Sequence, residues 1–217
     1  MDIIYSLIST TVSFGIYALL YFLFVMKWDK ETFKDNKLKS GIVIGVLHLV
    51  ATFLIAFFSK QYFLVGMVMA YMSFFNFCDV NIRKTYDVLN YIFLVGVLVY
   101  TGVNGLFLRQ NLLIFAIALL YILCGYLKAY GSSDGYLLAV LVLTLLNMNC
   151  SVFAYPLILL VISAAASMFC IHIPVYIYNK KKHKQMSFWK AKNAFGPAIY
   201  IGFMVVVCLH IIGGLSK

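Results

Sequence analysis

The sequence predicts an all-α membrane protein, a bundle of about eight transmembrane helices formed as a single domain over residues 1–217. Of the 217 residues, 64% are hydrophobic and 11% are charged, whereas a soluble domain has about 25% charged residues. The hydrophobic residues form runs of about 20, the length that crosses a bilayer. Basic residues are concentrated in alternate loops between these runs. This composition excludes an ordinary cytosolic enzyme and a disordered chain.

Eight apolar runs are the candidate spans, with boundaries defined to within a few residues. They cover residues 3–26, 41–58, 62–78, 88–107, 111–128, 135–149, 152–178 and 195–215. The sixth run is short and the seventh is long, so the border between them is the least defined. Met1 and Asp2 precede the first run without the basic segment and cleavage site of a secretory signal. We therefore expect a first span with a short cytoplasmic loop over residues 1–40, followed by a core over residues 41–217.

Basic residues fall almost entirely on one side of the predicted bundle. Alternate loops divide the 17 basic residues into fourteen on the side of the two long loops and three on the other side. The fourteen are Lys27, Lys30, Lys34, Lys37, Lys39, Arg83, Lys84, Lys128, Lys180, Lys181, Lys182, Lys184, Lys190 and Lys192, and the three are Lys60, Arg109 and Lys217. The positive-inside rule places the larger group in the cytoplasm. Both termini are therefore expected outside, and the chain is expected in the plasma membrane.

Several other classes of function are disfavoured by the residue pattern. None of the five cysteines belongs to a CxxC pair, and free cysteine in an apolar run packs as a small hydrophobic residue. The four histidines are scattered and form no HExxH motif. The net charge of +10 follows from topology, since no interleaved aromatic and basic motif indicates nucleic-acid binding. We therefore expect no metal, no cofactor and no nucleic-acid partner, and a lipid bilayer around the chain.

The acidic residues single out two positions for chemistry. Asp79 closes the third run and Asp134 opens the sixth. A carboxylate at the membrane midplane costs about 2.5–3.5 kcal/mol, and one near a span end still needs a reason. The predicted topology places both at the cytoplasmic ends of their helices, at a depth where they could meet. Two adjoining carboxyl groups tend to share one proton, which is how an aspartic protease activates water and polarises a peptide carbonyl.

Other roles stay open for both carboxylates at this point. Asp134 follows Gly-Ser-Ser and precedes an apolar run, a pattern typical of a helix N-cap. Asp79 has Arg83 and Lys84 one turn further on, so it could lie at the membrane surface in an ion pair. A small ion-coupled transporter or channel would also use carboxylates within the membrane, although it would place them nearer the midplane.

The residues around both aspartates resemble the motifs of the type IV prepilin peptidases, a family of membrane aspartic peptidases that includes the preflagellin peptidases. The first family motif is an aspartate at a span end, a short basic loop and Ile-Pro-Asp/Asn, and residues 79–90 (DVNIRKTYDVLN) have that layout. The second, Gly-x-Gly-Asp-x-Lys-Leu, is similar to residues 131–137 (GSSDGYL). The Gly-Pro pair that often opens the last span is similar to Gly196-Pro197. The resemblance covers roughly residues 41–215.

This resemblance implies an activity and the residues that carry it. Asp79 and Asp134 fall on the two catalytic positions of an endopeptidase that removes the short basic leader of type IV pilin-like precursors at the cytoplasmic membrane face. No cofactor is implied. Residues 27–40 contain no cysteine, whereas the larger members that also methylate the cleaved pilin carry a cysteine-rich insert there, so methylation is not expected. Further residues are expected to shape the backbone and the groove around the substrate: Gly131, Ser133, Gly135, Gly196 and Pro197.

The chain departs from the family pattern at three places. Ser133 replaces the second glycine of Gly-x-Gly-Asp, Tyr136 replaces the lysine, and residues 85–86 (Thr-Tyr) replace Ile-Pro. A serine at position 133 restricts the backbone if a positive φ is needed there. These departures leave open a catalytically inactive relative that acts in pilus assembly.

A rival pairing of carboxylates uses Asp87 in place of Asp79. Residues 86–87 (Tyr-Asp) together with Asp134 resemble the Tyr-Asp and Gly-x-Gly-Asp pattern of presenilins and signal peptide peptidases. The chain is short for that group and contains no Pro-Ala-Leu motif after these residues. The pairing of Asp79 with Asp134 therefore ranks first.

Overall fold

The computed structural model describes residues 2–28, 37–82, 85–108, 111–148, 154–181 and 195–215. Within them the chain forms α1 (Asp2–Leu20), α2 (Lys37–Ser59), α3 (Tyr62–Ile82), α4 (Asp87–Val103), α5 (Leu112–Tyr126), α6 (Ser132–Asn147), α7 (Ala154–Ala166), α8 (Ile173–Lys181) and α9 (Gly196–Leu215). A π-helical segment, Tyr21–Trp28, continues α1, and another, Ser167–His172, joins α7 to α8. The described residues thus make eight helical rods and no strand, and the predicted all-α class is confirmed.

The eight rods coincide with the eight predicted apolar runs. At the border between the sixth and seventh runs, which the sequence defines least, α6 ends at Asn147 and α7 begins at Ala154. Four rods are long and apolar enough to cross a membrane: Asp2–Lys27, Lys39–Ser59, Tyr62–Ile82 and Ala154–Tyr178. The remaining apolar stretches among the described residues have 17 residues or fewer: Asp87–Val103, Leu112–Tyr126, Ser132–Asn147 and the Gly196–Ile212 part of α9. At 1.5 Å per residue such a helix spans about 25 Å of a hydrocarbon core of about 30 Å. Four helices are therefore candidates to span a membrane by length and composition, and the count of eight spans stays a prediction.

Helices α3 and α6 occupy the centre of the bundle. Every residue from Gly135 to Asn147 of α6 is buried, and between Leu64 and Cys78 of α3 only Met67 is not. A helix that is apolar on all sides is expected in such an interior position. Helices α1, α2 and α9 pack against α3, and α4 and α5 pack against α6. Because α6 is enclosed by protein, its length need not match the thickness of the bilayer.

Helix α1 turns its small polar residues inward and its large apolar residues outward. Its buried residues are Ser6, Ser9, Thr10, Ser13 and Tyr17. Ser9 Oγ donates a hydrogen bond to the carbonyl of Tyr62 at 2.6 Å, and Ser13 Oγ donates one to the carbonyl of Gly66 at 2.5 Å. In a bilayer the lipid is as apolar as leucine, so small and polar residues are what hold helices together. This inside-out pattern is the one expected of a membrane bundle.

Contacts between helix ends fix the alternating direction of α1, α2 and α3. Asp2 at the start of α1 forms an ion pair with Lys60 at 3.7 Å, in the link between α2 and α3. At the opposite end, Ser40 near the start of α2 donates a hydrogen bond to Asn81 near the end of α3 at 3.0 Å. We call this second end, where α3 finishes and α6 begins, the carboxylate end. The described basic residues at this end include Lys27, Lys37, Lys39, Lys128 and Lys180.

Candidate active site

The first turn of α9 is completed by the side chain of Asp79, which comes from the end of α3. Phe195 is the N-cap of α9, because its carbonyl accepts the N–H groups of Ala198 and Ile199 at 3.0 Å. Pro197 has no N–H to satisfy, as is common in a first helical turn. The N–H of Gly196 is thus left without a partner inside the helix, and Asp79 Oδ2 accepts it at 2.8 Å. The carboxylate therefore lies at the positive end of the α9 dipole.

Position 196 has no room for a side chain, because the end of α3 lies directly against it. A Cβ atom at this position would lie 2.8 Å from Asn76 Oδ1 and 3.1 Å from Asp79 Oδ2. Any larger residue would push one or both of these side chains away. The sequence predicts that Gly196 and Pro197 shape the substrate groove. The structure places Gly196 in contact with the carboxylate itself, and Pro197 lines a cavity between α2, α3 and α9. We call the space left by the missing Cβ the Gly196 notch.

Asp134 holds a matching position at the start of α6. Gly131 is the N-cap of this helix, so Asp134 is its third residue and not its cap. The Asp134 carboxylate is half-buried and interacts with the backbone N–H of Gly131. A Cβ atom on Gly131 would lie 2.7 Å from Asp134 Oδ2. The side chain therefore folds back over the first turn, as an acidic residue does at this position in a capping box.

The fold brings Asp79 and Asp134 together at the carboxylate end. Their carboxyl groups are close enough to interact electrostatically. Each lies at a helix N-terminus, α9 for Asp79 and α6 for Asp134, and each terminus carries about half a positive charge. The two helix ends stabilise negative charge, whereas the mutual repulsion of the carboxylates disfavours the doubly ionised pair. Two carboxyl groups that interact strongly titrate as a pair, and a pair that holds one proton contains both a base and an acid.

The rival carboxylate Asp87 has a different environment. It begins α4 and its side chain is exposed. Its charge acts on the hydroxyl of Tyr126, at the end of α5. The ion pair predicted between Asp79 and Arg83 or Lys84 falls outside the described residues.

Two further predicted site residues lie on α6 next to Asp134. Ser133 belongs to the helix, and the described non-glycine residues with positive φ are Lys60 and Lys128. Serine at position 133 is therefore compatible with the backbone that it adopts. A Cβ on Gly135 would lie 2.6 Å from the carbonyl oxygen of Tyr121. The missing side chain of Gly135 thus allows α5 to pack closely, and its open side faces α5.

Tyr136, which replaces the lysine of the family pattern, belongs to a cluster of phenols. Its side chain is 6% exposed. The hydroxyls of Tyr136 and Tyr126 share a hydrogen bond of 2.6 Å, and Tyr136 also donates to the hydroxyl of Tyr91 at 3.4 Å. The cluster joins α4, α5 and α6 beside Asp134. A hydrogen-bonded group of phenols thus occupies the position that is a lysine in the prepilin peptidase motif that residues 131–137 resemble.

A cavity of about 630 Å³ opens between α2, α3 and α9, next to the end of α3 that carries Asp79. We call it the α2–α3–α9 cleft. It is lined by Lys39, Ser40, Val43, Ile44 and Leu47 of α2, Ser73, Asn76 and Val80 of α3, and Pro197, Tyr200 and Ile201 of α9. Val43, Leu47 and Ile201 are exposed, so the cleft opens sideways to the surroundings of the bundle. Its other end reaches the Gly196 notch, since Asn76 borders both.

Sequence reasoning did not identify Asn76 and Tyr200 as candidate functional residues. Asn76 is 7% exposed, and its Oδ1 has no hydrogen-bond partner among the described residues; the same holds for the buried hydroxyl of Tyr200. A buried polar atom without a partner costs about 1–3 kcal/mol, so such atoms are uncommon and often functional. The signal available in the sequence was the amide of Asn76 inside an apolar run, one turn before Asp79.

A second polar cluster lies deeper in the bundle, around His48. The ring is fully buried between α1, α2 and α3 and contacts Ser13 Oγ at 3.1 Å and Ser73 Oγ at 2.9 Å. Because the Ser13 hydroxyl donates to the carbonyl of Gly66, Ser13 accepts from the Nε2–H of His48. The Nδ1 atom of His48 then accepts from Ser73. Every member of this cluster has a partner, and it ties the three helices together.

Among the residues that the structure describes, no group of three or more His, Cys, Asp or Glu side chains could hold a metal ion. Comparisons with protein-family models, with curated proteins and with solved structures gave no match.

Proposed function

We propose that this protein is a membrane aspartic endopeptidase that removes the short basic leader of type IV pilin-like precursors at the cytoplasmic face of the plasma membrane. The observation that carries the proposal is that Asp79 and Asp134, on two central helices at the carboxylate end, are close enough to interact electrostatically. The resemblance of residues 79–90 and 131–137 to the prepilin peptidase motifs supports the same two residues.

The reaction needs one ionised and one protonated carboxyl group. The ionised carboxylate takes a proton from a water molecule, whose oxygen attacks the carbonyl carbon of the scissile peptide bond. The protonated carboxyl group donates its proton to the carbonyl oxygen. When the tetrahedral intermediate collapses, the C–N bond breaks and the leaving nitrogen takes up a proton from one carboxyl group. One hydroxyl of the intermediate gives its proton to the other carboxylate as the new carbonyl forms, so the pair again holds one proton. The chemistry is complete without a metal or a cofactor.

The position of the carboxylates suits a substrate that is itself a membrane helix with a basic leader. The leader of such a precursor stays in the cytoplasm with the basic loops of this chain, and its hydrophobic helix lies in the bilayer. The bond between them then meets the carboxylate end. The substrate helix must unwind at this bond, because helical carbonyls are hydrogen-bonded to the amide four residues further on.

The test is leader removal in cells that co-express this chain with tagged pilin-like precursors. The wild type should shorten at least one precursor, and Asp79→Asn and Asp134→Asn should each lower the rate by about 10⁴-fold or more. Asp87→Asn is the matched control, since it removes a carboxylate from the same end of the bundle. Cleavage that survives in both catalytic variants would refute the proposal, and loss of cleavage in Asp87→Asn would favour the rival pairing.

Two alternatives give other outcomes in the same experiment. An inactive relative that acts in pilus assembly would insert into the membrane and bind precursors without shortening them. An ion-coupled transporter or channel would shorten none and would conduct ions in liposomes, with a flux that depends on Asp79 and Asp134.

A further inference from the structure

We propose that the α2–α3–α9 cleft is the binding site for the hydrophobic helix of the precursor, and that Asn76 and Tyr200 bind main-chain groups exposed where this helix unwinds. The inference rests on the proposed function and adds the route by which the substrate reaches the carboxylates. It is carried by the shape of the cleft, by its two buried polar atoms without partners, and by its connection to Asp79.

The cleft has the size and the opening that a lateral substrate needs. One turn of helix, about 5.4 Å long and 10–12 Å wide, occupies roughly 400–600 Å³, and the cavity measures about 630 Å³. The enclosed part therefore accommodates about one turn, while the remainder of the substrate helix stays in lipid. The walls on α2 and α9 are exposed apolar side chains, Val43, Leu47 and Ile201. A transmembrane helix can approach them without leaving the membrane.

The polar atoms in the cleft distinguish a peptide from a lipid tail as the occupant. Asn76 Oδ1 is an acceptor that needs a donor, and the Tyr200 hydroxyl can donate or accept. Neither has a partner among the described residues. An acyl chain offers no hydrogen-bonding group, whereas an unwound peptide backbone offers an N–H and a C=O at each residue. The two atoms thus match the groups that a helix exposes when its hydrogen bonds open.

The cleft also leads to the reacting carboxylate. Asn76 and Val80 line the cleft and flank Asp79 on α3, and Pro197 on the facing wall follows Gly196. At the Gly196 notch, Asn76 Oδ1 and Asp79 Oδ2 border the same space. A peptide held by Asn76 would therefore pass next to the carboxylate. This places a binding residue one helical turn from a catalytic one.

The first experiment is photo-crosslinking in membranes. A benzoylphenylalanine is placed at Leu47 or at Ile201, and a control at Val95, which is 57% exposed on α4 and lies outside the cleft. The chain carries Asp134→Asn so that the precursor is retained, and the probe is a tagged single-span precursor with a basic leader. We expect crosslinks from Leu47 and Ile201 at several times the yield from Val95. Equal yields from all three positions, or lipid as the only adduct in the cleft, would overturn the proposal.

The second experiment measures cleavage by variants that remove one hydrogen-bonding group each. Tyr200→Phe and Asn76→Leu should each raise KM by about three- to tenfold, the effect of one lost hydrogen bond. Tyr5→Phe is the matched control, because Tyr5 is exposed at the far end of α1. The melting temperature of both cleft variants should stay within a few degrees of the wild type, because the atoms removed have no partner within the described residues. Unchanged KM in both variants would overturn the assignment of these residues.

The two proposals fail in different ways. If the wild type cleaves a precursor but crosslinks arise elsewhere, the cleft assignment is wrong and the peptidase stands. If nothing is cleaved and the crosslinks still map to Leu47 and Ile201, the cleft binds precursor helices and the chemistry is absent.

Discussion

Asp79 Oδ2 accepts a hydrogen bond of 2.8 Å from the backbone N–H of Gly196, across a sequence separation of 117 residues. This bond joins the end of a central helix to the start of α9, and it fixes one oxygen of the Asp79 carboxylate at the first turn of α9. The bond also explains why glycine precedes proline there. Proline contributes no N–H, so the N–H of Gly196 is the one that needs a partner. Because glycine has no Cβ, the Asp79 side chain can approach to within about 3 Å of where that atom would lie. The Gly-Pro pair is thus part of the carboxylate site.

Gly196→Ala should reduce cleavage by about tenfold or more while leaving insertion intact. The new methyl group would lie 2.8 Å from Asn76 Oδ1 and 3.1 Å from Asp79 Oδ2, so Asp79 must move from its position. A displacement of about 1 Å at a reacting group costs up to about 100-fold in rate. The measurement is the cleavage rate in membranes at matched protein levels.

The control for this variant is Gly96→Ala. Gly96 lies on α4, and a Cβ there meets nothing within 4 Å. Replacing glycine by alanine in an open helical position should raise stability by about 0.4–1 kcal/mol and leave cleavage unchanged. Equal rates for Gly196→Ala and Gly96→Ala would show that the contact with Asp79 does not matter for activity.

Gly131→Ala and Gly135→Ala should separate activity from stability. On Gly131 the added methyl meets the Asp134 carboxylate at 2.7 Å, and a side chain can rotate away. On Gly135 the added methyl meets the Tyr121 carbonyl oxygen at 2.6 Å. This oxygen belongs to the backbone of α5 and cannot rotate away. Gly131→Ala should therefore lose most of its cleavage activity while keeping a nearly normal melting temperature. Gly135→Ala should have a lower melting temperature, because its free energy of unfolding falls by about 1–3 kcal/mol.

Thermal unfolding in detergent and cleavage assays on the same preparations provide the measurements. The reverse pattern, a destabilised Gly131→Ala and a stable, inactive Gly135→Ala, would contradict these roles. It would instead support the expectation from the sequence that Gly135 lies open to the substrate.

The helices could be predicted from sequence because hydrophobic length is a local signal. Each of the eight apolar runs became a rod, and Asp79 and Asp134 could be placed at one end by counting rods. The contact of Gly135 with α5 could not be predicted, because nothing local in GSSDGYL indicates which face of α6 its neighbour covers. The same holds for Gly196, whose partner lies 117 residues away.

The cleft was missed for a related reason. Its walls come from three helices that are distant in sequence, and each contributes ordinary apolar residues. Among these residues only Asn76 has a local signal in the sequence, an amide within an apolar run. Such an amide is as often structural as functional, so it does not by itself indicate a binding site. The partners of a buried polar atom depend on tertiary packing, which sequence spacing does not specify.

Ser133→Gly should leave cleavage within about twofold of the wild type. Ser133 lies in the first turn of α6 with φ outside the positive range, so glycine relieves no strain and adds a small entropic cost of about 0.5–1 kcal/mol. The cleavage rate and the melting temperature of the variant are the measurements. A large gain of activity would instead show that the serine holds the site in an inactive form.

His48→Ala should destabilise the bundle by about 1–3 kcal/mol, because the Ser13 and Ser73 hydroxyls lose a buried partner. The matched control is Thr11→Val. Thr11 Oγ1 also donates a hydrogen bond, to the carbonyl of Leu7 at 2.8 Å, but it is exposed, and its loss should change stability by less than about 0.5 kcal/mol. Unfolding in detergent compares the two. Equal stabilities would show that the buried cluster contributes nothing to holding α1, α2 and α3 together.

The pH dependence of cleavage should be bell-shaped, because the proposed reaction needs one ionised and one protonated carboxyl group. At low pH both groups are protonated and no base remains to activate water; at high pH both are ionised and no acid remains to protonate the carbonyl oxygen. The apparent pKa values of the two limbs belong to the pair of carboxyl groups and not to either residue alone. The profile of kcat/KM for the reconstituted protein measures them, with a chelator present to exclude a contribution from contaminating metal. A rate that rises to an alkaline plateau would indicate a single general base, and the shared proton between Asp79 and Asp134 would then have to be abandoned.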